Sequence, residues 1–530
     1  MEAAAHPTGL RVDGTVIEVS EGDRQRTLLE VLRRNGVTTV KDGCSPQGQC
    51  GCCTVLIDGA ARVACVTPVR RVLGADIRTV AGLDDDAARR FAGALCATGG
   101  TQCGFCTPGI VVRLAALEAK TPARLADSAA VTEALLAHLC RCTGWQTITE
   151  AAALVASGAR VAEPSAAELD EAAGVATREG GAAQVVGSGV ALGQGGFADD
   201  LAPLDALVAL PDGAGGWVVG EGISEARALR GKVQGRRTTA PLRWPIDVAP
   251  GAWDLVLHTT WTEPAALEPD AAWCAPGADP VGPSGNGGAF GAKASSPVTA
   301  AAQVLAERHG RAVRVLLDRE DVVTLTAKRP PLALGLRADG SGIVRAAATP
   351  GLAEAVAAWF PSVAVEEVTV SGPPTSLALR GAVWAEVAAA IAVATAVDEI
   401  EHPNGGRAEA SLAGVVLTIR VSAGRLPAGA VGRAVLRSYV IGAAHQALGW
   451  VRSEAITVDE AGGVHDLTMR SFGILRARDT PHVEVVLDAF DDRAPMPVSA
   501  AVLAAVAVAA WRAEADDAGA LPTRWPTRRA

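Results

Sequence analysis

Cys103-Gly104-Phe105-Cys106-Thr107-Pro108-Gly109, answered by Cys140-Arg141-Cys142-Thr143-Gly144-Trp145, decides how the rest of this chain is read. Two close-spaced cysteine pairs, separated by a stretch of helical periodicity, offer four thiolates to one metal centre. Pro108 suits the first turn of a helix running through GIVVRLAALEA. The start of a helix stabilises an anionic thiolate–metal unit. Upstream, DDDAARRFAGALCATGG (Asp84–Gly100) carries acids at its start and glycines at its end, as a helix prefers, and places Cys96 on the apolar side as a core residue. Downstream, SAAVTEALLAHL (Ser128–Leu139) predicts a helix that delivers Cys140 and Cys142. The expectation is a compact helical bundle with a metal site at its tip.

A second cysteine group precedes this one. LRVDGTVIEV (Leu10–Val19) alternates apolar and polar residues around Asp13-Gly14, a hairpin signal. TLLEVLRRNG (Thr27–Gly36) has helical periodicity, a capping threonine and a terminating glycine. The loop Lys41–Thr54 then supplies Cys44, Cys50, Cys52 and Cys53, and Cys65 follows a strand, a turn and another short strand. Glycines let such a loop wrap closely, and backbone N–H groups can donate to cluster sulfur. The spacing Cys44-x5-Cys50-x2-Cys53-x11-Cys65 is near the plant-type [2Fe–2S] pattern, with one extra residue in the first gap. Five cysteines compete for four places. Cys44, Cys50, Cys53 and Cys65 are the expected ligands and Cys52 the spare. A structural zinc site would also take four thiolates, but the hairpin–helix–loop order favours iron–sulfur.

Composition agrees. Ten of the eleven cysteines lie between Cys44 and Cys142, and only Cys274 lies beyond. In a 530-residue chain without a basic, then apolar, secretory start, such crowding favours metal ligation over disulfides. A net charge of −10 argues against nucleic-acid or anionic-membrane partners. No apolar run reaches the ~20 residues that span a bilayer, so a cytoplasmic location is expected. The 4% aromatic content reads as genomic bias.

Gly43-Cys44, Gln49-Cys50-Gly51-Cys52-Cys53-Thr54-Val55, Gln102–Gly109 and Cys140–Gly144 together resemble the iron–sulfur subunit of the molybdenum hydroxylases, the xanthine dehydrogenase and aldehyde oxidase family. The resemblance covers about Leu10 to Glu150. It implies a β-grasp ferredoxin domain and a four-helix [2Fe–2S] bundle, with Cys103, Cys106, Cys140 and Cys142 holding the second cluster. It also implies that Gln102 and Cys142 face the pterin of a molybdenum cofactor. Electrons would pass from molybdenum through the helical-domain cluster, then the ferredoxin cluster, to a flavin.

Residues 156–181 are small, polar and charged, and read as an exposed linker. Beyond them, short strands, Gly/Pro turns and Ala-rich helices predict α/β domains. Here GGFADDL (Gly195–Leu201), ALEPDAA (Ala266–Ala272), GNGGAFGAK (Gly285–Lys293), LRGAVWAEVA (Leu379–Ala388) and GAAHQALGWVRSE (Gly442–Glu454) resemble the family's large, molybdenum-binding subunit. By that resemblance the cofactor contacts are Gln102, Gly287, Gly288, Ala289, Phe290, Gly291 and Arg380. The plain alternatives are a turn for the Gly-rich loop, a surface charge for Arg380, and a cap or linker role for Glu268.

The resemblance is incomplete. About 350 residues remain for a region that the family makes far longer. There is no second Gly-Gln-Gly loop, and Gly193-Gln194-Gly195 comes too early to be it. The family's general base is a Glu near the C-terminus, yet DAFDDRAPMPVSAAVLAAV (Asp488–Val506) contains none. Losing such a base removes a term worth about 10²–10⁴-fold in rate. No catalytic residue is therefore assigned. Glu386 and Glu454 have no surroundings that mark them as a displaced base, His445 reads as a packed helix residue, and the other histidines lack ligand spacing. No segment resembles a flavin domain.

The expected organisation is a ferredoxin domain (1–82), a helical [2Fe–2S] domain (83–155), the linker, and two molybdenum-hydroxylase-like parts (182–345 and 346–530). The expected role is electron transfer through two [2Fe–2S] clusters. Molybdopterin would lie on a large partner subunit, and FAD on another partner. A compact hydroxylase binding the cofactor between the helical domain and Gly287–Lys293 is the first alternative. A redox sensor or assembly factor is the second.

Overall fold

The computed structural model describes residues 9–231, 240–283, 288–488 and 492–528. Gly287, and with it Gly285 and Asn286 of the Gly-rich loop, lies outside the described residues.

The expected hairpins form. β1 (Gly9–Val12) and β2 (Thr15–Glu18) turn at Asp13-Gly14, and β3 (Thr54–Ile57) and β4 (Ala60–Val63) at Asp58-Gly59. With β5 (Asp76–Arg78) they make one sheet in the order β2-β1-β5-β3-β4. Helix α1 (Leu28–Arg34) starts at Thr27, whose side chain accepts from Glu30 N, and buries Leu28, Leu29, Val31 and Leu32. Each leucine so buried stabilises the fold by about 1.5–3 kcal/mol.

Four helices follow, α2 (Asp85–Thr98), α3 (Thr107–Lys120), α4 (Ser128–Ala134) and α5 (Gln146–Ala156). Asp84 caps α2 and Gly99 ends it in the left-handed region, while Pro108 sits in the first turn of α3. The third of these helices is shorter than its sequence predicts. Regular helix stops at Ala134, and turns carry Leu135–Leu139 to Cys140, with Leu139 N donating to Cys50 O at 2.9 Å.

Two expectations fail. The predicted linker contains α6 (Ala166–Gly180), closed by a capping box between Ser165 and Glu168 and ended by Gly181. Its alanine-rich stripe, Ala172, Val175 and Ala176, is too weakly apolar to stand out by periodicity, yet it is buried. The boundary at 345/346 also fails, because β12 (Gly342–Ala347) runs straight through it. That strand belongs to a sheet ordered β13-β12-β11-β8, built from β8 (Leu255–His258), β11 (Leu332–Leu336), β12 and β13 (Val363–Val368).

Two further four-stranded sheets complete the downstream region. One is ordered β7-β6-β10-β9, from β6 (Leu207–Pro211), β7 (Trp217–Gly220), β9 (Ala271–Cys274) and β10 (Val313–Leu316). The other is ordered β14-β15-β16-β17, from β14 (Ile400–Glu401), β15 (Arg407–Ala413), β16 (Val416–Ser422) and β17 (His482–Leu487). Two apolar helices, Ala430–Arg452 and Ser499–Arg512, share a core with the last of these sheets. Cys96 of α2 joins the same core, as a packing residue. The molecule is thus a mixed α/β and α+β assembly, with no barrel among the described residues. Among the described residues no helix is long and apolar enough to cross a membrane.

Candidate functional site

All eight expected ligand cysteines are buried, and the fold brings them into two groups. In the first, Cys44 is in hydrogen-bonding contact with Cys50 and Cys65, and Cys65 also with Cys53. In the second, Cys142 Sγ lies 3.5 Å from Cys103 Sγ, and Cys106 is in contact with Cys140. Contacts from Cys50 and Cys65 hold the Cys44 thiol down at about 2, and contact with Cys106 lowers that of Cys140 to about 6. Within each group, contact between thiols thus lowers one thiol's hold on its proton, and the thiolate is the form that ligates metal. Backbone N–H groups converge on the sulfurs: Gln49 N points to Cys44 Sγ and Cys65 N to Cys53 Sγ, each at 3.4 Å.

Cys52, expected to be the spare cysteine, lies between the groups. Its thiol is pushed up by burial, contacts Cys50, and feels the charge of both Cys44 and Cys103. Two glycines make this approach possible. A Cβ on Gly43 would sit 3.0 Å from Cys52 Sγ, and one on Gly109, in the first turn of α3, would sit 2.4 Å from Gly51 O. The Cys50–Cys53 loop therefore lies directly against the helix that starts the second site. Thr54 Oγ1 bonds to Gly51 O at 2.7 Å and meets His138 Nε2 at 3.1 Å, fixing the loop against the approach to Cys140.

The residues suit iron–sulfur clusters. The second group is arranged as two thiol pairs, which matches two irons taking two thiolates each. Arg319 offers a further sign. It is wholly buried, its Nη2 donates to Gly43 O at 2.5 Å, and its Nε and Nη1 find no acceptor. A buried cation with unmet donors beside Cys44 fits a site completed by an anionic cluster.

The molybdopterin contacts fare differently. Gln102, Gly288, Phe290 and Arg380 do come into one region. Gly288 lies on the second cysteine group, where a Cβ would come within 2.9 Å of Cys103 Sγ, and Phe290 is buried with Ala289. Arg380 N donates to Phe290 O at 2.9 Å, and its guanidinium stacks over the Phe290 ring at 4.6 Å, so it is no surface charge. Gly291 adopts the left-handed region, and a Cβ there would meet Ala378 O at 1.8 Å. The region is closed, however. The Gln102 Nε2 amide donates to Cys142 O and to Ser438 Oγ, both at 2.9 Å. Ser438 belongs to the helix Ala430–Arg452, which lies on both cysteine loops. A Cβ on its Gly442 would be 1.8 Å from Cys142 O, and one on Gly144 would be 2.8 Å from Ile441. The void left among Arg141, Phe290, Arg380 and Gln446 is about 20 Å³. Cofactor sites occupy about 300–1,000 Å³. As the described residues pack, they leave no room for a pterin there.

The two carboxylates considered as displaced bases are also engaged. Glu454 takes Arg141 in a buried fork, Nη1–Oε1 at 2.6 Å and Nη2–Oε2 at 2.5 Å, and Glu386 pairs with buried Arg329. Glu268 is bound by Lys293 at 2.5 Å, both buried, and is neither a cap nor a linker residue. His445 is fully buried on the helix Ala430–Arg452 against Leu475 O. Sequence reading missed the roles of Arg141 and Arg319. Arg141 stood in plain view between two ligand candidates; nothing in LDREDVV marks Arg319 as a buried neighbour of Cys44.

Comparison with known proteins supports this picture. Residues 10–70 match the 2Fe-2S iron-sulfur cluster binding domain, residues 79–153 the [2Fe-2S] binding domain, and residues 281–349 the molybdopterin cofactor-binding domain. The small subunit of nicotine 6-hydroxylase from Paenarthrobacter nicotinovorans is 42% identical over 130 residues, covering 24% of this chain and 77% of that subunit. The chain belongs to the xanthine dehydrogenase and aldehyde oxidoreductase family. The iron-sulfur-binding subunit of xanthine dehydrogenase from Escherichia coli O157:H7 is 38% identical over 122 residues, 23% of this chain and 76% of that subunit. Against the xanthine dehydrogenase of Emericella nidulans, 39% identical over 152 residues, the match covers 27% of this chain and only 11% of that protein. In overall fold the chain is similar to the aldehyde oxidoreductase of Desulfovibrio gigas, with a TM-score of 0.72 at 14% identity over 98% of each chain. Two 2Fe–2S domains and a molybdopterin-domain segment are thus family features of this oxidoreductase-like chain.

Proposed function

We propose that this chain is the iron–sulfur electron-transfer subunit of a molybdenum hydroxylase-type dehydrogenase complex. Cys44, Cys50, Cys53 and Cys65 would hold one [2Fe–2S] cluster, and Cys103, Cys106, Cys140 and Cys142 the other, each cluster exchanging electrons one at a time. Molybdopterin would reside on a large partner chain and FAD, or another acceptor, on a second. The region after residue 182 would serve as a scaffold without a base of its own.

The observation that carries this reading is a contrast within the site. The two thiol groups meet through the Cys50–Cys53 loop, whereas the carboxylates Glu386 and Glu454 are locked by arginines. The helix Ala430–Arg452 adds a restriction. On this reading electrons from a partner would enter elsewhere on the two cluster domains than across Gln102 and Cys142, a face that this chain's own helix covers.

Iron, molybdenum and flavin measured per polypeptide, on the chain alone and with co-purifying partners, test the proposal. About four iron per chain are expected, two per cluster, with molybdenum and flavin present only alongside partners. Stoichiometric molybdenum in the isolated chain overturns it in favour of a self-contained hydroxylase, the reading that the molybdopterin-domain match favours.

A further inference from the structure

Arg319 lies far along the chain from the first cysteine group, yet it reaches into that group. It follows β10 and is wholly buried. Its Nη2 ties together Gly43 O at 2.5 Å and Leu267 O at 3.0 Å. Gly43 is in turn pressed against sulfur, for a Cβ there would stand 3.1 Å from Cys50 Sγ and 3.0 Å from Cys52 Sγ. The guanidinium is therefore one residue from Cys44 and in the second layer around the first site.

Among the described residues its charge has no ion-pair partner. Asp318 is taken by Arg227 at 2.7 Å and Arg230 at 3.1 Å, and Asp321 by Arg230 at 2.5 Å. Glu320 accepts from Gln47 Nε2 at 2.8 Å, and Glu268 is bound by Lys293. Asp270 keeps an unpartnered Oδ2, but among the described residues it makes no ion pair with Arg319. Nε and Nη1 of Arg319 are left without acceptors. An unpaired buried cation is strongly unfavourable unless something anionic completes it. The second group shows the opposite arrangement. Arg141, flanked by Cys140 and Cys142, is neutralised by the Glu454 fork. One cysteine group thus has an uncompensated cation beside it, and the other a neutral pair.

We infer that Arg319 is a positioning residue that sets the reduction potential of the first cluster, so that the downstream region tunes electron transfer as well as supporting the fold. Net charge and hydrogen bonding around the sulfurs are among the levers on such potentials. A buried cation favours the state with one more electron. The inference rests on the reading that Cys44, Cys50, Cys53 and Cys65 hold a [2Fe–2S] cluster.

An EPR-monitored redox titration of the full, iron-loaded chain tests it, with wild type, Arg319→Gln and Arg319→Lys compared. Arg319→Gln is expected to shift the reduction equilibrium of the ferredoxin-type signal at least tenfold toward the oxidised state, about 59 mV for one electron. The helical-domain signal should not move, and Arg319→Lys, which keeps the charge, should hold the potential near wild type. An unmoved ferredoxin-type potential in Arg319→Gln, with both signals intact, overturns the role of Arg319. If the Gln variant loses iron, the Lys variant decides. A potential near wild type supports the inference, and a tenfold shift toward the oxidised state overturns it. Absence of any ferredoxin-type signal from the wild-type chain would sink the underlying cluster reading instead.

Discussion

The cysteine groups of the first 156 residues and the buried ionisable groups of the downstream region handle charge in opposite ways. The thiols of each group touch mainly one another, at distances such as the 3.5 Å between Cys103 and Cys142. Downstream, charges come in matched pairs: Lys293 with Glu268, Lys328 with Glu263, Arg329 with Glu386. Clustered ionisable groups of one kind are costly unless a bound group completes them, whereas paired ones complete each other. The first region therefore gathers like groups that a bound group would complete, and the second pairs opposite charges within a closed core. Arg319 is one exception among the described residues, a buried downstream cation that reaches the first region through Gly43 O.

The sharpest way to break this contrast is at the cysteines. Cys53→Ser is expected to abolish or distort the ferredoxin-type EPR signal and cut iron from about four to about two per chain, while Cys52→Ser keeps both. The reverse outcome exchanges their roles. Next in size is the Arg141 fork. Glu454→Gln leaves a buried guanidinium unpaired and should cost about 3–5 kcal/mol in denaturant unfolding. The double change Arg141→Met with Glu454→Leu should recover most of that loss, and an equal loss in both would show that the pair itself is not what matters. Smaller again is Gly442→Ala. Its Cβ would meet the Cys142 carbonyl at 1.8 Å, so the helix must shift. A loss of about 1–3 kcal/mol is expected, together with a perturbed helical-domain signal; an unchanged signal would mean that the helix does not press on that loop.

The last prediction concerns pH. Burial holds His445 at about 3, against 6.5 for a free imidazole. Between those values the unfolded chain binds more protons than the folded one, so stability falls as pH drops from 6.5 toward 3. His445→Gln should flatten that slope in stability measured by urea across this range. An unaltered slope would remove His445 from the account.

Much of the first region was legible in the sequence because its causes are local. Cysteine spacing, the Asp13-Gly14 and Asp58-Gly59 turns, the Thr27 and Asp84 caps and Pro108 act within a few residues of themselves. The helix α6 was signalled by Ser165 and Glu168 but hidden by a stripe made mostly of alanine. The state of the pterin face was not legible. It depends on Ser438 meeting Gln102 and on Gly442 admitting the Cys142 carbonyl, contacts that join residues more than 290 positions apart. Sequence resemblance could locate Gln102, Phe290 and Arg380 in one place, but packing density alone decides whether that place is open.

The helix Ala430–Arg452 turns the question of the second site into one of timing. It lies across loops made some 290 residues earlier in synthesis, and the Glu454 carboxylate just beyond it clamps the arginine between two ligand candidates. Iron delivered after that clamp closes would have to displace a buried ion pair and a close-packed helix. Iron delivered before it meets an open pair of loops. Loading the bundle before the helix docks would avoid that displacement.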